Sequence, residues 1–544
     1  MLSFGSRPLQ RVVTCGLLFL SGFAWAAQPA RAADAAIQIS ASDAVQTGVQ
    51  LERQRKWRDA IDHYKSALQT WPQDEHLTYG LRRAQFQFAI DRRYTDRSFL
   101  TAIKSMPRDA ALTQFDEVLS QIHAHFVDPI DTTSIVAHGT ESLWLALANE
   151  RFLDQNLFGA DASRVQQFRQ LLREKYWNKP VSNRDGARQM IGEICDIGYR
   201  QLGLDGGAVV QEYIYGACNC LDDYSNVLTP GRLQDLYGNI EGEFVGIGIV
   251  MEGELGKGMN LVQVLPQSPA SESGLRAGDV LTAIEGQDCR FMTTDEAAGL
   301  MTGPSGSKVR LEVVSPNGRR EVSVTRREVH VKSIPIARIV DSEHGIAYLQ
   351  MTGFQKSTAQ ELDEALVQLR KQGMKSLIWD LRSNPGGLLT SAVEVLDRFI
   401  GNGVLVETRG RTYDQNYTYS AHAPGTWDLP IVLLIDGNSA SASEIVAGAI
   451  RDHQRGLIVG RKSFGKWSVQ SIYDLRGGGG VRLTTAKFYS PKGDTLGKIG
   501  VKPDLAIEAV AKSQRHLGEV DPQNDSDVRA AIEAIRGGRV TAAR

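Results

Sequence analysis

The sequence has 544 residues, of which 42% are hydrophobic and 23% are charged. This is the composition of a globular protein, and its length suggests about three or four domains. Lys and Arg number 61 against 63 Asp and Glu, so the net charge of −2 argues against binding to nucleic acid or an anionic membrane. Five cysteines are too few for a fold built on disulfides.

The first 32 residues have the pattern of a cleavable secretory signal. Arg7 and Arg11 precede an apolar run at residues 12–25, which is shorter than the about 20 residues needed to span a bilayer. Small residues at cleavage-like spacing follow within residues 24–32. We predict an exported protein, periplasmic or extracellular, without an integral membrane segment in the mature chain. The alternative is an uncleaved N-terminal anchor.

Export would leave four cysteines in an oxidising compartment: Cys195, Cys218, Cys220 and Cys289. Cys218 and Cys220 are too close in sequence to pair easily with each other, so Cys195 with either of them is the disulfide to test. Buried thiols are the alternative. The spacing does not supply the ligands of a zinc site, and we expect no metal and no cofactor.

The chain after the signal is predicted to be helical as far as residue 237. Residues 33–110 resemble one tetratricopeptide unit, because small and aromatic residues recur at helix-packing spacing from Gly48 through Ala60 and Tyr64. A generic helix pair is the alternative, since such units normally stack in threes or more. Residues 111–237 continue as helices. Either arrangement would suit binding of a partner protein.

Residues 238–328 change to strand patterns punctuated by glycines. The segment SPASESGLRAGDVL, which begins at Ser268, resembles that of a PDZ domain. A PDZ fold leaves a groove in which a peptide adds as a strand while backbone amides capture its terminal carboxylate. The resemblance places this capture loop at Phe244, Val245, Gly246, Ile247, Gly248 and Ile249.

Residues 329–510 alternate strands with helices, which predicts an α/β layer. The predicted strands are 345–351, 376–381, 430–435 and 457–459, and the predicted helices are 358–372, 389–400 and 441–450. Residues 511–544 are predicted to be a C-terminal tail, in which residues 521–544 are charged and end in a mobile segment. The sequence as a whole therefore predicts a multidomain α+β protein.

One junction between a buried strand and a helix carries a pair of glycines. The run WDLRSNPGG ends at Gly386 and Gly387. Glycines allow a close approach of the backbone, and free amides at a helix start favour a negative oxygen. Backbone amides at this position are suited to form an oxyanion hole, and an ordinary turn is the alternative.

A second junction holds three serines, Ser439, Ser441 and Ser443, between an apolar strand and a helix. A nucleophile at such a turn gains the amides and the positive end of the helix. Residue patterns alone cannot choose among the three, because Ser439 or Ser443 could simply cap the helix.

The segment GRKSFGKWSVQ follows, and it contains Lys466 between Phe464 and Trp467. A nucleotide-binding P-loop would need Ser or Thr after the lysine, where this chain has Trp467. A buried lysine loses its charge more easily and can serve as a base for a serine hydroxyl. A solvated surface lysine is the alternative.

These segments together resemble the carboxyl-terminal processing, or tail-specific, serine proteases. The resemblance covers about residues 112–508 and rests on ordered stretches that include LDDYSNVLTP, DLRSNPGG, NSASASEIVAGAI, GRKSFGKWSVQ, LTTAKFYSPKG and GVKPD. It implies a crotonase-like α/β protease core after the PDZ domain. It also implies a serine endopeptidase that recognises the C-terminal tails of protein substrates.

The resemblance assigns a role to individual residues. The nucleophile is the serine that precedes the catalytic lysine by 25 positions, which selects Ser441 for Lys466. Gln470 supports the lysine. The oxyanion donors are the amides of Ala442 and Gly387, with Gly386 as the alternative to Gly387.

One residue departs from the pattern of the family. Trp467 stands where these proteases usually have glycine after the lysine, and glycine adopts backbone angles that tryptophan does not easily share. This departure favours a second hypothesis, in which the chain is a catalytically impaired scaffold that binds protein C-termini. The presence of Ser441, Lys466 and Gln470 favours an active enzyme.

Overall fold

The computed structural model describes residues 12–13, 40–254, 256–292, 294–422, 426–508 and 524–540. The chain divides into a helical unit, made of Ala27–Leu233 and Tyr473–Leu483, and a mixed unit that contains Gln234–Ile472 and Thr484–Arg544. The predicted signal peptide lies outside the described residues, apart from the two-residue strand Val12–Val13.

The helical unit is built from amphipathic helices with one short strand. Most of these helices begin after an Asp, Asn or Ser whose side chain accepts a hydrogen bond from a first-turn amide. The α-helices are Ala41–Arg53, Trp57–Thr70, Glu75–Arg93, Arg97–Ala102, Arg108–His125, Thr132–Ala146, Glu150–Asn156, Ala162–Leu171, Arg184–Leu202 and Gly206–Ala217. A π-helical turn, Leu172–Tyr176, and a 3₁₀ turn, Cys218–Cys220, extend two of them. The strand Asn226–Leu228 pairs antiparallel with residues 480–482, and the helix Pro230–Glu241 follows.

Two glycines allow the first three helices to pack around one tyrosine. A Cβ atom on Gly48 would lie 2.2 Å from Tyr64 Cζ, and one on Gly80 would lie 2.5 Å from the same atom. Tyr64 is fully buried, and its hydroxyl donates to Glu52 at 2.6 Å. The aromatic ring therefore fills space that only glycine leaves free.

We expect Gly80→Ala to destabilise the helical unit by about 1–3 kcal/mol, because the added methyl group would overpack the site of Tyr64. Thermal unfolding followed by circular dichroism would measure the loss. Gly299→Ala is the matched control, since Gly299 also lies in a helix but a Cβ there would meet nothing within 4 Å. An unchanged melting temperature for Gly80→Ala would contradict this account of the packing.

All four cysteines of the described residues are free thiols. The pairing of Cys195 with Cys218 or Cys220 is therefore not formed in this structure. Burial raises the pKa of Cys195 and of Cys220 to about 12, and it also raises the pKa of Cys218. These thiols stay protonated at neutral pH and have little nucleophilic character.

The residues predicted as a PDZ domain form a small β structure with two short helices. Its main sheet contains Ile249–Glu254, Gly258–Val264, Val280–Ile284, Lys308–Ser315 and Gly318–Thr325 in that order, with Gln287–Asp288 paired to Val280–Ile284. Glu243–Gly246 pairs antiparallel with Arg327–His330. The helices are Pro269–Glu272 and Thr294–Met301.

The central sheet of the mixed unit has six strands. In order they are Ile336–Asp341, Ile346–Gln350, Ser376–Asp380, Ile431–Ile435, Leu457–Gly460 and Leu505–Ala506. The first pair is antiparallel and the remaining neighbours are parallel. Ser376–Asp380 and Ile431–Ile435 are buried on both faces, which explains their continuous apolar runs.

Helices cover both faces of this sheet. Thr358–Lys371, Leu389–Leu396 and Ala442–Asp452 share one apolar core with Trp379 and Leu433. A further sheet contains Ser468–Asp474, Gly480–Tyr489, Val404–Gly410 and Tyr417–Ser420 in that order. The strands and helices lie where the sequence patterns predict them, with ends that differ by a few residues.

Part of the predicted C-terminal tail is helical. Residues Ser526–Arg536 form a helix, called the C-terminal helix below, and it contacts three strands of the central sheet. Its Val528 and Ala531 are fully buried in the core with Ile378 and Val432. The charged composition concealed an amphipathic helix whose apolar face covers the second face of the sheet.

Candidate active site

Two neighbouring parallel strands lead into the two strand-to-helix junctions that the sequence analysis identified. Ser376–Asp380 and Ile431–Ile435 are paired in parallel register, so both chains leave the sheet at the same edge. The first strand leads into residues 381–387, here called the glycine turn, and the second leads to the helix Ala442–Asp452, here called the serine helix. A third parallel strand, Leu457–Gly460, leads into residues 461–467, here called the lysine loop.

The hydrogen bonds distinguish among the three serines. Ser439 Oγ donates to the Leu381 carbonyl at 2.8 Å, and Ser443 Oγ donates to the Asn384 carbonyl at 3.0 Å. Ser441 Oγ is buried and has no hydrogen-bond partner among the described residues. Ser439 and Ser443 therefore fasten the glycine turn, and only the hydroxyl of Ser441 is uncommitted.

Ser441 also has an unusual backbone conformation. Its φ is 58° and its ψ is −115°, directly before the first residue of the serine helix. A residue other than glycine with such angles is strained, and it persists only where the surrounding contacts determine it. This strand-to-helix turn places the Ser441 side chain beside the first amides of a helix, as an active-site nucleophile requires.

The glycine turn approaches Ser441 closely. A Cβ atom on Gly386 would lie 2.7 Å from Ser441 Cβ and 2.9 Å from the Ala442 nitrogen. The Gly386 N–H donates to Asn384 Oδ1 at 2.9 Å, whereas the N–H groups of Gly387 and Ala442 have no acceptor among the described residues. The amides of Gly387 and Ala442 are therefore the ones available to an incoming negative oxygen.

We expect Gly386→Ala to lower kcat by about 10²-fold or more, because the methyl group would push the glycine turn away from Ser441 and displace an oxyanion donor. Steady-state cleavage of a peptide would measure this. Gly373→Ala is the matched control: its φ of 96° is close to the 103° of Gly386, but a Cβ there would meet nothing within 4 Å. Equal losses in the two variants would show that backbone strain alone is responsible.

Lys466 is buried, with 3% of its surface exposed. Of its two aromatic neighbours in sequence, Phe464 is 57% exposed and Trp467 is buried. Trp467 stacks on Phe488 with ring centroids 4.6 Å apart, and its backbone φ is not positive. Tryptophan therefore fills a core position without backbone strain, and the structure gives it no contact that would argue for an impaired lysine.

Glu444 joins the backbone at Ser441 to the lysine loop. Its Oε2 accepts hydrogen bonds from the backbone N–H groups of Ser441 at 3.0 Å and Lys466 at 2.8 Å. Its Oε1 accepts from Ser463 Oγ at 2.5 Å and from the Gly465 N–H at 2.7 Å. Burial raises the pKa of the Glu444 carboxyl, and these hydrogen bonds oppose the rise.

Gln470 lies fully buried on the strand Ser468–Asp474, four positions after Lys466. Its side-chain nitrogen donates to Ser468 Oγ at 2.8 Å and to Thr484 Oγ1 at 3.3 Å. Its Oε1 is buried and accepts no hydrogen bond from the described residues. Among the described residues, Gln470 Oε1 is thus a buried acceptor that is free to accept a hydrogen bond.

Sequence reasoning missed two groups of this site. Glu444 follows Ser441 by three positions, and this Ser-x-x-Glu spacing of a capping box was a signal that could have identified it. The second group is the buried ion cluster around Arg382, which involves Asp380, Asp525 and Asp527. No local pattern could have found that cluster, because the aspartates of the C-terminal helix are about 145 positions away from Arg382.

The predicted peptide-capture loop, residues 244–249, joins two strands of the PDZ region. Phe244 and Val245 belong to Glu243–Gly246, and Gly248 has a φ of 81° beside Ser268. Ile249 begins a strand that is at the edge of its sheet, and the helix Thr294–Met301 contacts that strand through a hydrogen bond from the Gly253 N–H to Thr294 Oγ1 at 3.2 Å.

Two further features concern the whole described chain. Within the residues that the structure describes, no group of three or more His, Cys, Asp or Glu side chains is arranged to hold a metal ion. The described helices include none that is both long enough and apolar enough to cross a membrane.

Comparisons with known proteins identify the family of this chain. Residues 345–507 match the model of peptidase family S41, and residues 261–315 match that of the PDZ domain. A carboxyl-terminal-processing protease of Synechocystis sp. is 32% identical over 405 residues, which cover 73% of this chain and 88% of that protein. A carboxy-terminal-processing protease of Bartonella bacilliformis is 36% identical over 313 residues, which cover 56% of this chain and 70% of that protein. The solved structure of the photosystem II D1 C-terminal processing protease is 26% identical, covers 73% of this chain and 93% of its own, and has a TM-score of 0.38.

Proposed function

This chain belongs to peptidase family S41 and is a serine protease of the carboxyl-terminal-processing type, and on that premise we propose that Ser441 and Lys466 form its catalytic dyad. The observation that carries the proposal is the uncommitted hydroxyl of Ser441, beside two serines whose hydroxyls are engaged. Glu444 adds support, since one carboxylate holds the backbone of both dyad residues.

The proposed reaction uses a neutral Lys466 as general base. Lys466 takes the proton of Ser441 Oγ as that oxygen attacks the scissile carbonyl. The protonated lysine then donates to the leaving amine, and a water molecule hydrolyses the acyl-enzyme with Lys466 again as the base. No cofactor takes part in any of these steps.

The remaining polar groups fit supporting roles in this reaction. The amides of Gly387 and Ala442 would bind the oxyanion, because the Gly386 N–H is already occupied by Asn384. Gln470 would orient Lys466, because its buried Oε1 is an acceptor that an ammonium group can use once the serine proton has been transferred.

We further propose that the PDZ region captures the C-terminal tail of a protein substrate by strand addition. Ile249–Glu254 is an edge strand, and its first residues can accept a further strand before Gly253 engages Thr294. The loop of residues 244–249 would then bind the terminal carboxylate. A protein tail with a free carboxylate is therefore the expected ligand.

The proposal also includes a tetratricopeptide-like unit, a crotonase-like core and export of the chain. The packing of Tyr64 between Gly48 and Gly80 supports a tetratricopeptide-like unit in residues 33–110, which would bind a partner protein. The parallel strands and covering helices of residues 329–510 support a crotonase-like core. The signal pattern within the first 32 residues supports export to the periplasm or the exterior.

A serine-directed fluorophosphonate and a pair of substrates would test the proposal together. We expect the probe to attach to Ser441 in the mature protein and to give no product with Ser441→Ala. We expect an unstructured protein with an apolar C-terminal tail to be cut faster than the same protein with an amidated C-terminus. Attachment to Ser439 or Ser443 would overturn the dyad, and equal cleavage of the two substrates would overturn carboxylate capture.

The alternative of an impaired scaffold has little remaining support. It rested on Trp467, whose side chain packs in the core and whose backbone is unstrained. A chain that binds tails but neither reacts with the probe nor cuts either substrate would restore that alternative.

A further inference from the structure

The second residue of the glycine turn is a buried arginine. The Arg382 side chain is 1% exposed, and its Nε donates to Asp380 Oδ1 at 2.8 Å. Its Nη1 donates to Asp525 at 2.9 Å and to Asp527 at 2.8 Å. Two of the three carboxylates around this guanidinium therefore come from the C-terminal helix region.

The lysine loop begins with a second arginine that reaches the same carboxylate. Arg461 directly follows the strand Leu457–Gly460, and its N–H donates to the Ile435 carbonyl at 3.0 Å. Its guanidinium donates to both oxygens of Asp527, at 3.1 and 2.5 Å. Asp527 Oδ2 thus binds Arg382 and Arg461 at once, and these residues open the two loops that lead to Gly387 and Lys466.

Asp527 is held in position by its helix. The Asp525 side chain caps this helix by accepting from the N–H groups of Asp527 and Val528, at 3.0 and 3.2 Å. Val528 and Ala531 anchor the helix in the core of the central sheet. The backbone that carries Asp527 is therefore fixed, and its carboxylate reaches both arginines from a constant position.

The ionisation of Asp527 agrees with a bridging role. Desolvation favours the neutral carboxyl, but hydrogen bonds and charges from Arg461 and Arg382 outweigh it and hold the pKa of Asp527 below its ordinary value. The carboxylate therefore stays charged at neutral pH. Removing it would leave the deeply buried Arg382 without one of its compensating charges.

The glycine turn needs external support because its conformation is strained. Ser383 has a φ of 61°, which strains a residue other than glycine, whereas glycine adopts the positive φ angles of Gly386 and Gly387 readily. Strained backbone persists only where several contacts determine it. The Ser383 N–H is held by Asp436 Oδ1 at 2.9 Å, and the residue before it is held by Asp380 and the C-terminal helix.

We propose that Asp527 is a positioning residue of the peptidase: by bridging Arg382 and Arg461, it aligns the glycine turn with the lysine loop, so that the Gly387 amide and Lys466 meet at Ser441. This inference depends on the proposed roles of Ser441 and Lys466. It assigns to the C-terminal helix an indirect influence on the chemical step, exerted through the two arginines.

The test compares Asp527→Asn with Arg536→Gln in the mature protein. Arg536 lies on the same helix and pairs with Asp341 at 2.8 Å, a contact that reaches neither loop. We expect Asp527→Asn to lower kcat about tenfold or more with KM within about twofold, because small misplacements of catalytic groups are costly while substrate capture is separate. The rate of fluorophosphonate labelling of Ser441 should fall in parallel. Arg536→Gln should keep both rates within about twofold of wild type, since it removes only an outer ion pair.

Thermal melts recorded with the same samples separate positioning from stability. If Asp527→Asn lowers the melting temperature but keeps kcat and the labelling rate within about twofold, the carboxylate is only structural and the proposal fails. The proposal also fails if Arg536→Gln lowers kcat as much as Asp527→Asn does.

If Asp527→Asn does not fold, Arg461→Gln is tested in its place. Arg461 is 29% exposed, and its replacement leaves the hydrogen bonds of Arg382 to Asp380 and Asp527 intact. We then expect kcat to fall about threefold to tenfold with KM unchanged, and an unchanged kcat would overturn the proposal. Failure of the proposed function is distinct, because the wild type itself would then show no Ser441 labelling.

Discussion

Ser441→Ala and Lys466→Ala should each abolish cleavage, with kcat lower by about 10⁴-fold or more, as for other proteases that lose a member of the catalytic group. Ser441 supplies the only uncommitted hydroxyl among the three serines at this turn, and no neighbouring group can replace it. Lys466 is buried, and it is the residue that we propose as the base for this hydroxyl. Cleavage of an unstructured protein with an apolar C-terminal tail would measure both losses.

Matched variants of the same segments make this result specific. Ser443→Ala removes a hydroxyl that donates to the Asn384 carbonyl, and Lys462→Ala removes an exposed lysine from the same loop as Lys466. Both controls should retain kcat within about tenfold, since each loses at most one neutral hydrogen bond. Cleavage by a folded Ser441→Ala protein would refute the assignment of the nucleophile.

The double mutant Ser441→Ala/Lys466→Ala offers one more check. Residues that act as a unit lose activity in a non-additive way, so the double mutant should be no worse than either single variant. Additive losses would mean that the two side chains contribute to separate steps.

Glu444→Gln should lower kcat by about 10²-fold, because an amide nitrogen would replace one carboxylate oxygen and leave two buried donors without an acceptor. Each Glu444 oxygen accepts two hydrogen bonds, and every orientation of glutamine turns its NH₂ group toward a pair of donors. The backbone of Ser441 or of Lys466 would shift as a result. KM for a tailed substrate should change little, since the PDZ region is untouched.

Glu212→Gln provides the control for burial. Glu212 is a fully buried carboxylate of the helical unit that accepts hydrogen bonds from Arg93, Tyr94 and Ser142. We expect it to lower the melting temperature while kcat of the folded protein stays within about threefold of wild type, because it loses stabilising contacts rather than catalytic ones. Glu444→Gln with kcat in the same range would show that the shared carboxylate is dispensable.

Much of the fold could be predicted from local patterns. The apolar runs at residues 376–381 and 430–435 and the periodic helix at residues 358–372 have counterparts in the structure. Burial of a strand on both faces leaves a continuous apolar run in the sequence, and burial of a helix on one face leaves a periodic pattern. The ordered stretches from LDDYSNVLTP to GVKPD identified the S41 protease family correctly, and the comparisons confirm that family.

The parts that escaped prediction depend on contacts between distant segments. Local patterns alone did not distinguish Ser439, Ser441 and Ser443, and only the family resemblance selected Ser441. In the structure the hydroxyls of Ser439 and Ser443 are engaged by the carbonyls of Leu381 and Asn384, which belong to another strand-to-helix junction. The C-terminal helix looked like a charged tail because its aspartates have partners far away in sequence. Residue patterns carry no record of such pairings.

The C-terminal helix also affects the order in which the active site can be completed during synthesis. Ribosomes make the chain from the N-terminus, so Ser441 and Lys466 emerge before Asp527 does. Arg382 and Arg461 must wait for a carboxylate that is made well after either of them. On the proposed role of Asp527, a nascent chain whose serine and lysine are already translated still lacks the carboxylate that aligns its two loops.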